Sequence, residues 1–243
     1  VGGWFAPTGL NPTPTGRASS FTMVLTSQPT ADVTIALSSS NTAEGTVSPA
    51  SVTFTPANWN TAQTLTVTGV DDFVVDGNQT FTIVTAPAVS SDPNYSGFDA
   101  ANVSVINEDN DAVGVTVSAI SGNTNESGTT ATFTMVLTSQ PTADVTIALS
   151  SSNTAEGTVS PASITFTSLS WNTAQTVTVT GVDDAIVDVN QTLTIVTAAA
   201  VSADANYNGL AVADVIVINE DNDAAGVTVS AISGNTNESG DRK

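Results

Sequence analysis

Residues 21–51, FTMVLTSQPTADVTIALSSSNTAEGTVSPAS, recur unchanged at 133–163, and their texture decides the fold. Phe21, Met23 and Leu25 alternate with Thr22 and Val24; Val33, Ile35 and Leu37 alternate with Thr34 and Ala36. Period-two alternation over such short runs is strand patterning, with one apolar face and one wet face. Pro, Asn, Asp and Ser clusters stand between the runs and turn the chain. The pattern continues through SVTFT at 51–55, QTLTVTGV at 63–70, QTFTIVT at 79–85 and NVSVIN at 102–107. No stretch sustains a 3.6-residue apolar period, so the chain is all-β.

The repeat extends well beyond the opening stretch. Residues 21–128 align with 133–240 at a shift of 112, and about 89 of the 108 pairs are identical. That period exceeds the roughly 20–50 residues of stacking modules, so each unit is expected to be a domain with its own core. Seven strands are predicted in the second unit, at 114–120, 129–138, 144–150, 162–167, 174–181, 191–197 and 211–219. Strands apolar on one face must close in pairs of sheets, as a sandwich. Trp59 and Trp171 precede matching strands and read as rim or core anchors. A lone aromatic of this kind falls short of the cluster a sugar site presents.

Composition narrows the function. The chain has 243 residues, 23 acidic and three basic, with no histidine and no cysteine. A net charge of −20 argues against nucleic acid and anionic membrane surfaces, which need a basic footprint. Thiol and imidazole chemistry, disulfides and the usual zinc sites are absent with those residue types. No apolar run approaches the roughly 20 residues of a membrane-spanning helix. The bases are Arg17, Arg242 and Lys243, so nothing from 18 to 241 is positive. The first residue is Val, which fits a fragment or a mature secreted protein equally; the composition tilts the expectation towards a secreted, extracellular, cell-surface protein.

The acids are gathered. In the second unit they stand at Glu126, at Asp183, Asp184 and Asp188, and at Glu220, Asp221 and Asp223. In the first they stand at Asp71, Asp72 and Asp76 and at Glu108, Asp109 and Asp111. On the predicted strands these loops share one end of each sandwich. Two carboxylates about 4 Å apart repel by roughly 1 kcal/mol in water and about 4 at an effective dielectric of 20. Such a cluster splays into solvent, takes up protons, or binds a hard cation. Calcium, which takes six to eight oxygens in flexible geometry, suits this ligand type better than magnesium.

Asn125-Glu126-Ser127-Gly128, GVDDAIVDVNQTLTIV at 181–196 and VIVINEDND at 215–223 resemble the Calx-beta domain and similar Ig-like calcium-binding repeats of bacterial surface proteins. The likeness covers both units and is specific at those three loops. It implies two tandem seven-stranded Ig-like Greek-key β-sandwiches, the first lacking its own first strand. It also implies Ca2+ ligands at Glu126, Asp183, Asp184, Asp188, Asp221 and Asp223, and at Asp71, Asp72, Asp76, Asp109 and Asp111. Asn222 and Asn190 depart from the acids usual in that pattern. Fewer charges lower affinity, so occupancy is expected at extracellular, millimolar calcium. Glu108–Asp111 runs into 112–115 without a spacer, so calcium there is expected to stiffen the junction between units.

The repeat fails at both ends. Residues 2–20 read GGWFAPTGLNPTPTGRASS where the shift predicts a copy of 114–132, and Pro14 takes the place of Glu126. Residues 226–240 read GVTVSAISGNTNESG, identical to 114–128. The expected organisation is a non-repeat segment at 1–20, sandwiches at 21–111 and 112–223, and an orphan first-strand copy at 224–243. Two readings stay open. In one, the chain is a segment of a long calcium-rigidified adhesin stalk. In the other, strand 226–239 enters the first unit of a second copy and brings Glu238 to Asp71, Asp72 and Asp76. That contact does not close on itself and propagates as a head-to-tail homopolymer, a calcium-stabilised filament. Catalysis is not expected, because the acids duplicate between units without an aromatic-lined cleft. The Thr-rich strand faces follow from ordinary strand preference rather than from adhesion to ice or sugar.

Overall fold

The structure, a computed structural model, describes residues 18–235 and residue 238. Most of the non-repeat segment 1–20, and residues 236–237 and 239–243 of the orphan copy, lie outside the described residues. No helix of the described residues is long and apolar enough to cross a membrane.

The first unit runs β1 (Ala18–Met23), β2 (Val33–Ser39), β3 (Gly45–Ser48), β4 (Ser51–Phe54), β5 (Gln63–Gly69), β6 (Gln79–Thr85), β7 (Val89–Ser90) and β8 (Val103–Asn107). One sheet orders β1-β5-β3 and the other β4-β2-β6-β8, with β7 also on β2. The second unit runs β9 (Val115–Val117), β10 (Thr124–Asn125), β11 (Thr130–Leu137), β12 (Val145–Ser151), β13 (Gly157–Ser160), β14 (Ser163–Phe166), β15 (Gln175–Gly181), β16 (Gln191–Thr197), β17 (Val201–Ser202) and β18 (Val215–Glu220). Its sheets order β13-β15-β11-β9 and β10-β18-β16-β12-β14, with β17 on β12. The chain is thus all-β, two tandem Ig-like β-sandwiches.

Alternation sets which residues meet. In β15 the pattern puts Val177 and Val179 inside and the threonines between them outward, and in β11 it buries Phe133, Met135 and Leu137. The register Phe133↔Val177 joins the two on the same face. Each such side chain contributes about 1.5–3 kcal/mol when fully buried. Two separate cores result, one around Phe21, Phe54 and Phe81, the other around Phe133, Phe166 and Tyr207.

Some predicted strands differ. β13 at Gly157–Ser160 was not foreseen, since a four-residue run ahead of Pro161 carries little periodicity. The strand expected from 211 begins at Val215. Ahead of it the Thr197 backbone N–H donates to Asp214 Oδ1 at 2.8 Å and its hydroxyl donates to the Val212 carbonyl at 2.9 Å. Side chains there replace the main-chain ladder. The strand expected over 114–120 resolves into β9, paired antiparallel with β11, and is followed by β10, paired parallel with β18.

The units differ where β9 and β10 sit. Among the described residues, β1 pairs only with β5, whereas its counterpart β11 pairs with β15 and β9. Val113, Val115, Val117 and Ile120 pack on the second core, and there Leu137, Ser139 and Tyr207 are buried. Their counterparts Leu25 and Tyr95 are half-buried and Ser27 is exposed.

Candidate metal centre

β10 positions the first candidate ligand. Its parallel pairing sets Asn125 against Glu220, and the next residue, Glu126, donates its N–H to the Glu220 carbonyl at 3.3 Å. The Glu126 side chain is 1% exposed, and its Oε2 accepts the Asn222 N–H at 3.0 Å. Gly181 makes this possible, since a Cβ there would collide with the Asn125 carbonyl. The loop between β15 and β16 brings Asp184, whose Oδ1 accepts the Ile186 N–H at 2.7 Å, and Asp188. Asp221 ties the loops: Oδ2 accepts the N–H of Asp188 at 3.1 Å and of Val189 at 2.9 Å, and Oδ1 accepts that of Asp223 at 2.8 Å.

Carboxylate oxygens of Glu126, Asp184 and Asp223 lie within 4.8 Å of one another, as do those of Glu156, Asp184 and Asp188. Asp184 is shared, so the two groups adjoin. In the first unit the matching group is Glu44, Asp72 and Asp76. It opens on a cavity of about 10 Å3 that Asn107, Asp109 and Asp111 also line. That is room for an ion or a single water. Asp109 ties this loop as Asp221 does the other, accepting from Gly77 at 2.7 Å and Asp111 at 2.8 Å.

The electrostatics are those of acids without a counter-ion. No Lys or Arg falls among the described residues. Burial first, then the charges of Asp221, Asp183, Asp184 and Asp188, raises the Asp223 pKa. Burial, the Gln79 hydrogen bond notwithstanding, raises that of Asp76, and burial with Asp109 raises that of Asp111. For Glu126 the Asn222 N–H pulls the pKa down, but burial and the surrounding aspartates outweigh it and the net shift is upward. Asp221 moves the other way, held low by the N–H groups of Asp223 and Val189. Among the described residues, Asp188 Oδ1 and Asp223 Oδ2 are buried with no hydrogen-bond donor. A carboxylate oxygen can only accept, so two orphaned ones turned into an acidic centre fit a bound cation. Oxygen donors alone, in an irregular array, are the donor set of calcium.

Other buried acids are satisfied. Asp204, near the other end of β12, accepts from the N–H of Thr142 and Asn206 at 2.8 and 2.9 Å; Asp92 does the same with Thr30 and Asn94. Their pKa values are lowered, for Asp92 chiefly by the Thr30 N–H and for Asp204 by hydrogen bonds that outweigh burial. These two are structural.

Of the expected ligands, the structure gathers Glu126, Asp184, Asp188 and Asp223, with Asp72 and Asp76. Asp221 and Asp109 serve as loop ties beside them. Asp183 and Asp71 are exposed and outside the three groups, acting on Asp223 and Asp111 through charge. Asp111 lines the first unit's cavity. Glu238 is exposed and belongs to none of the groups. Sequence reasoning missed Glu44 and Glu156, 9% and 6% exposed. Each is a lone acid inside the perfectly repeated NTAEGTVS, and its exact duplication was the available signal.

The first unit's acidic loop also touches the second unit. The Gln140 N–H donates to the Phe73 carbonyl at 2.6 Å, and Asn206 Nδ2 donates to the Val75 carbonyl at 2.8 Å. The Phe73 ring lies 5.6 Å from that of Trp171, tilted by 46°. Trp171 is thus a rim anchor, half-buried against its own core and in contact with the neighbouring unit.

No protein-family model matches the chain, and no curated protein matches it. Similar solved structures include CBD12 from CALX1.2, at 11% identity over 88% of this chain and 98% of that one, TM-score 0.34. Calcium binding domain CBD12 of CALX1.1 is 14% identical over 78% of each chain, TM-score 0.33. Domains 1–6 of the surface layer protein SbsC are 17% identical over 79% of this chain and 20% of that one, TM-score 0.32. Likeness at this level says nothing about what the chain binds.

Proposed function

We propose that this is a calcium-stabilised structural protein of the extracellular surface, a subunit that assembles head to tail by inserting strand 226–239 into the first unit of the next copy. One observation carries the reading. Beside β1 lies an open apolar cleft of about 180 Å3, lined by Met23, Val24, Leu25, Tyr95 and Phe98 among others. In the second unit the counterparts of the first three, Met135, Val136 and Leu137, pair with Val117, Thr116 and Val115. An identical Val-Thr-Val stands at 227–229, with Val227 91% and Val229 85% exposed and Ile232 80% exposed beyond them. The cleft and the strand that fits it occur in one chain, at opposite ends.

Magnitudes favour docking with help from the metal. Burying two valines and an isoleucine contributes about 4.5–9 kcal/mol, against an association cost of about 4–15. A strand ladder along the edge of β1 that no described strand pairs adds to the favourable side, and an exposed edge of this kind is one proteins cover. The linker supports the same geometry, since 220–229 repeats 108–117 with one change, Ala225 for Val113. A junction between copies would therefore copy the junction within the chain. The acid groups suit a structural cation rather than catalysis, because a cavity of about 10 Å3 admits no sugar.

The test is electron microscopy and sedimentation of residues 1–243 with calcium and with chelator, beside a chain lacking 226–243. Filaments from the first and monomers from the second are expected. Long polymers from the truncated chain overturn strand donation. A full chain that stays monomeric at every calcium concentration overturns assembly and leaves the stalk segment.

A further inference from the structure

Among the described residues, the second unit has two candidate cation positions and the first has one. The missing one has a definite cause. Its counterpart in the second unit is built from Glu126, Asp184 and Asp223, which correspond in the first unit to residue 14, Asp72 and Asp111. Residue 14 is proline. Asp72 and Asp111 line the same small cavity as Glu44, and among the described residues no acid stands at the position equivalent to Glu126.

A second, independent defect sits beside it. Asn107 is 5% exposed and lines that cavity. Its Nδ2 donates to Glu44 Oε2 at 3.2 Å and to the Val70 carbonyl at 2.9 Å. Its Oδ1 is buried and, among the described residues, has no partner. In the second unit the same oxygen, Asn219 Oδ1, accepts the Thr124 hydroxyl at 3.0 Å. The residue 112 positions before Thr124 is Pro12, which has no hydroxyl. Glutamate and threonine are thus both lost from the first unit, and both recur at the right spacing as Glu238 and Thr236.

Resting on the head-to-tail reading, we infer that the first unit holds a second calcium between its own Asp72 and Asp111 and Glu238 of a second copy, beside the unpartnered Asn107 Oδ1. Calcium binding and strand docking are then one coupled equilibrium. Each must strengthen the other by the same factor, because coupling between two binding events is reciprocal. Calcium acts as the switch for polymer growth as well as a stabiliser of each sandwich. In the docked state the Asn110 N–H stands where Asn222 stands in the second unit, ready to take the Glu238 carboxylate.

The decisive measurement is calcium stoichiometry on the full-length chain by equilibrium dialysis, dilute and polymerised, beside the calcium midpoint of assembly by light scattering. Three ions per chain are expected before assembly, one for each group present, and one more in the polymer. In Glu238→Gln the extra ion is lost and the assembly midpoint rises about tenfold or more, in line with the tenfold or greater loss that weakened metal coordination brings. Glu238 is exposed and lies outside both cores, so its substitution does not threaten folding. Assembly of Glu238→Gln at the wild-type midpoint with the wild-type stoichiometry overturns the shared site while leaving strand donation standing. A wild-type chain that never polymerises overturns the head-to-tail reading instead.

Discussion

Single residues decide where the cation sits. Asp184 belongs to both groups of the second unit, so Asp184→Asn should weaken calcium there by at least about 100-fold. With calcium at about 1,000 times the dissociation constant, binding contributes about 4 kcal/mol, and the variant keeps little more than about 1. Differential scanning calorimetry checks this: without calcium the variant should melt no lower than wild type, since a repelling charge has gone. An equal calcium-induced rise in melting point in both proteins would remove Asp184 from the site. Val189 offers a different test. It holds φ = 66°, where Gly77 in the first unit holds 74°. A β-branched residue is strained there by about 1–2 kcal/mol, while glycine costs about 0.5–1 in chain entropy. Val189→Gly should therefore raise the second unit's melting point by a few degrees, and a lower one would refute the strain. Protons report on the same acids. Asp76, Asp111 and Asp223 titrate above 3.8 and Glu126 above 4.5. For such groups the stability contribution is complete below the unfolded pKa and lost as pH rises through the folded one. Asp92, Asp204 and Asp221 are lowered, so theirs is present above the unfolded pKa and lost as pH falls through the folded one. Acidifying the calcium-free protein through the folded pKa values of the raised acids should thus raise its melting point, while the calcium-induced gain shrinks as protons compete. A calcium-free melting point that falls steadily over that range contradicts the clustering.

At the scale of elements, the difference between the units among the described residues is the pair β9 and β10, and residues 226–235 repeat the sequence of that region without pairing to a described strand. On the proposed docking, Val229→Asp places a charge on the face that would meet Met23. It should abolish polymers at any calcium concentration while leaving the melting points of both sandwiches within about 1 °C, because the residue lies outside both cores. Polymers from this variant would show that the strand does not enter the cleft by its apolar face. How much of this was legible in sequence follows from the physics of each element. Alternating runs such as Gln175–Gly181 and Gln191–Thr197 matched their strands within a residue, because period two is forced by having one dry face. Gly157–Ser160 was invisible, since four residues bounded by Pro161 have no period to read. The acids in clusters announced themselves through repulsion that something must relieve. Glu44 and Glu156 did not, because their neighbours in sequence are neutral and only the sandwich brings them to Asp72, Asp76, Asp184 and Asp188. Asn107 gave no signal at all. Its missing partner is a property of burial, and burial appears only when the sheets close.

For the whole molecule, the same loop, 71–77, carries Asp72 and Asp76 on one side and meets the second unit on the other. The backbone carbonyls of Phe73 and Val75 accept from Gln140 and Asn206, and the Phe73 ring meets Trp171. Without a cation this loop is a short irregular segment held mainly by the Asp109 carboxylate, with like charges pushing it apart. A cation on Glu44, Asp72 and Asp76 would fix the loop and so the surface on which the second unit rests. Calcium should therefore narrow the distribution of distances between the units without changing either sandwich. Small-angle scattering on the chain lacking 226–243, which keeps both cores and cannot donate a strand, isolates this effect from assembly. The distance distribution should sharpen on adding calcium. Phe73→Ala should lose most of that sharpening while its calcium stoichiometry stays unchanged, since Phe73 offers no ligand. A distribution identical with and without calcium in the unsubstituted chain would mean that the contact at Phe73 does not depend on the metal, and that stiffness in a polymer comes from strand pairing alone.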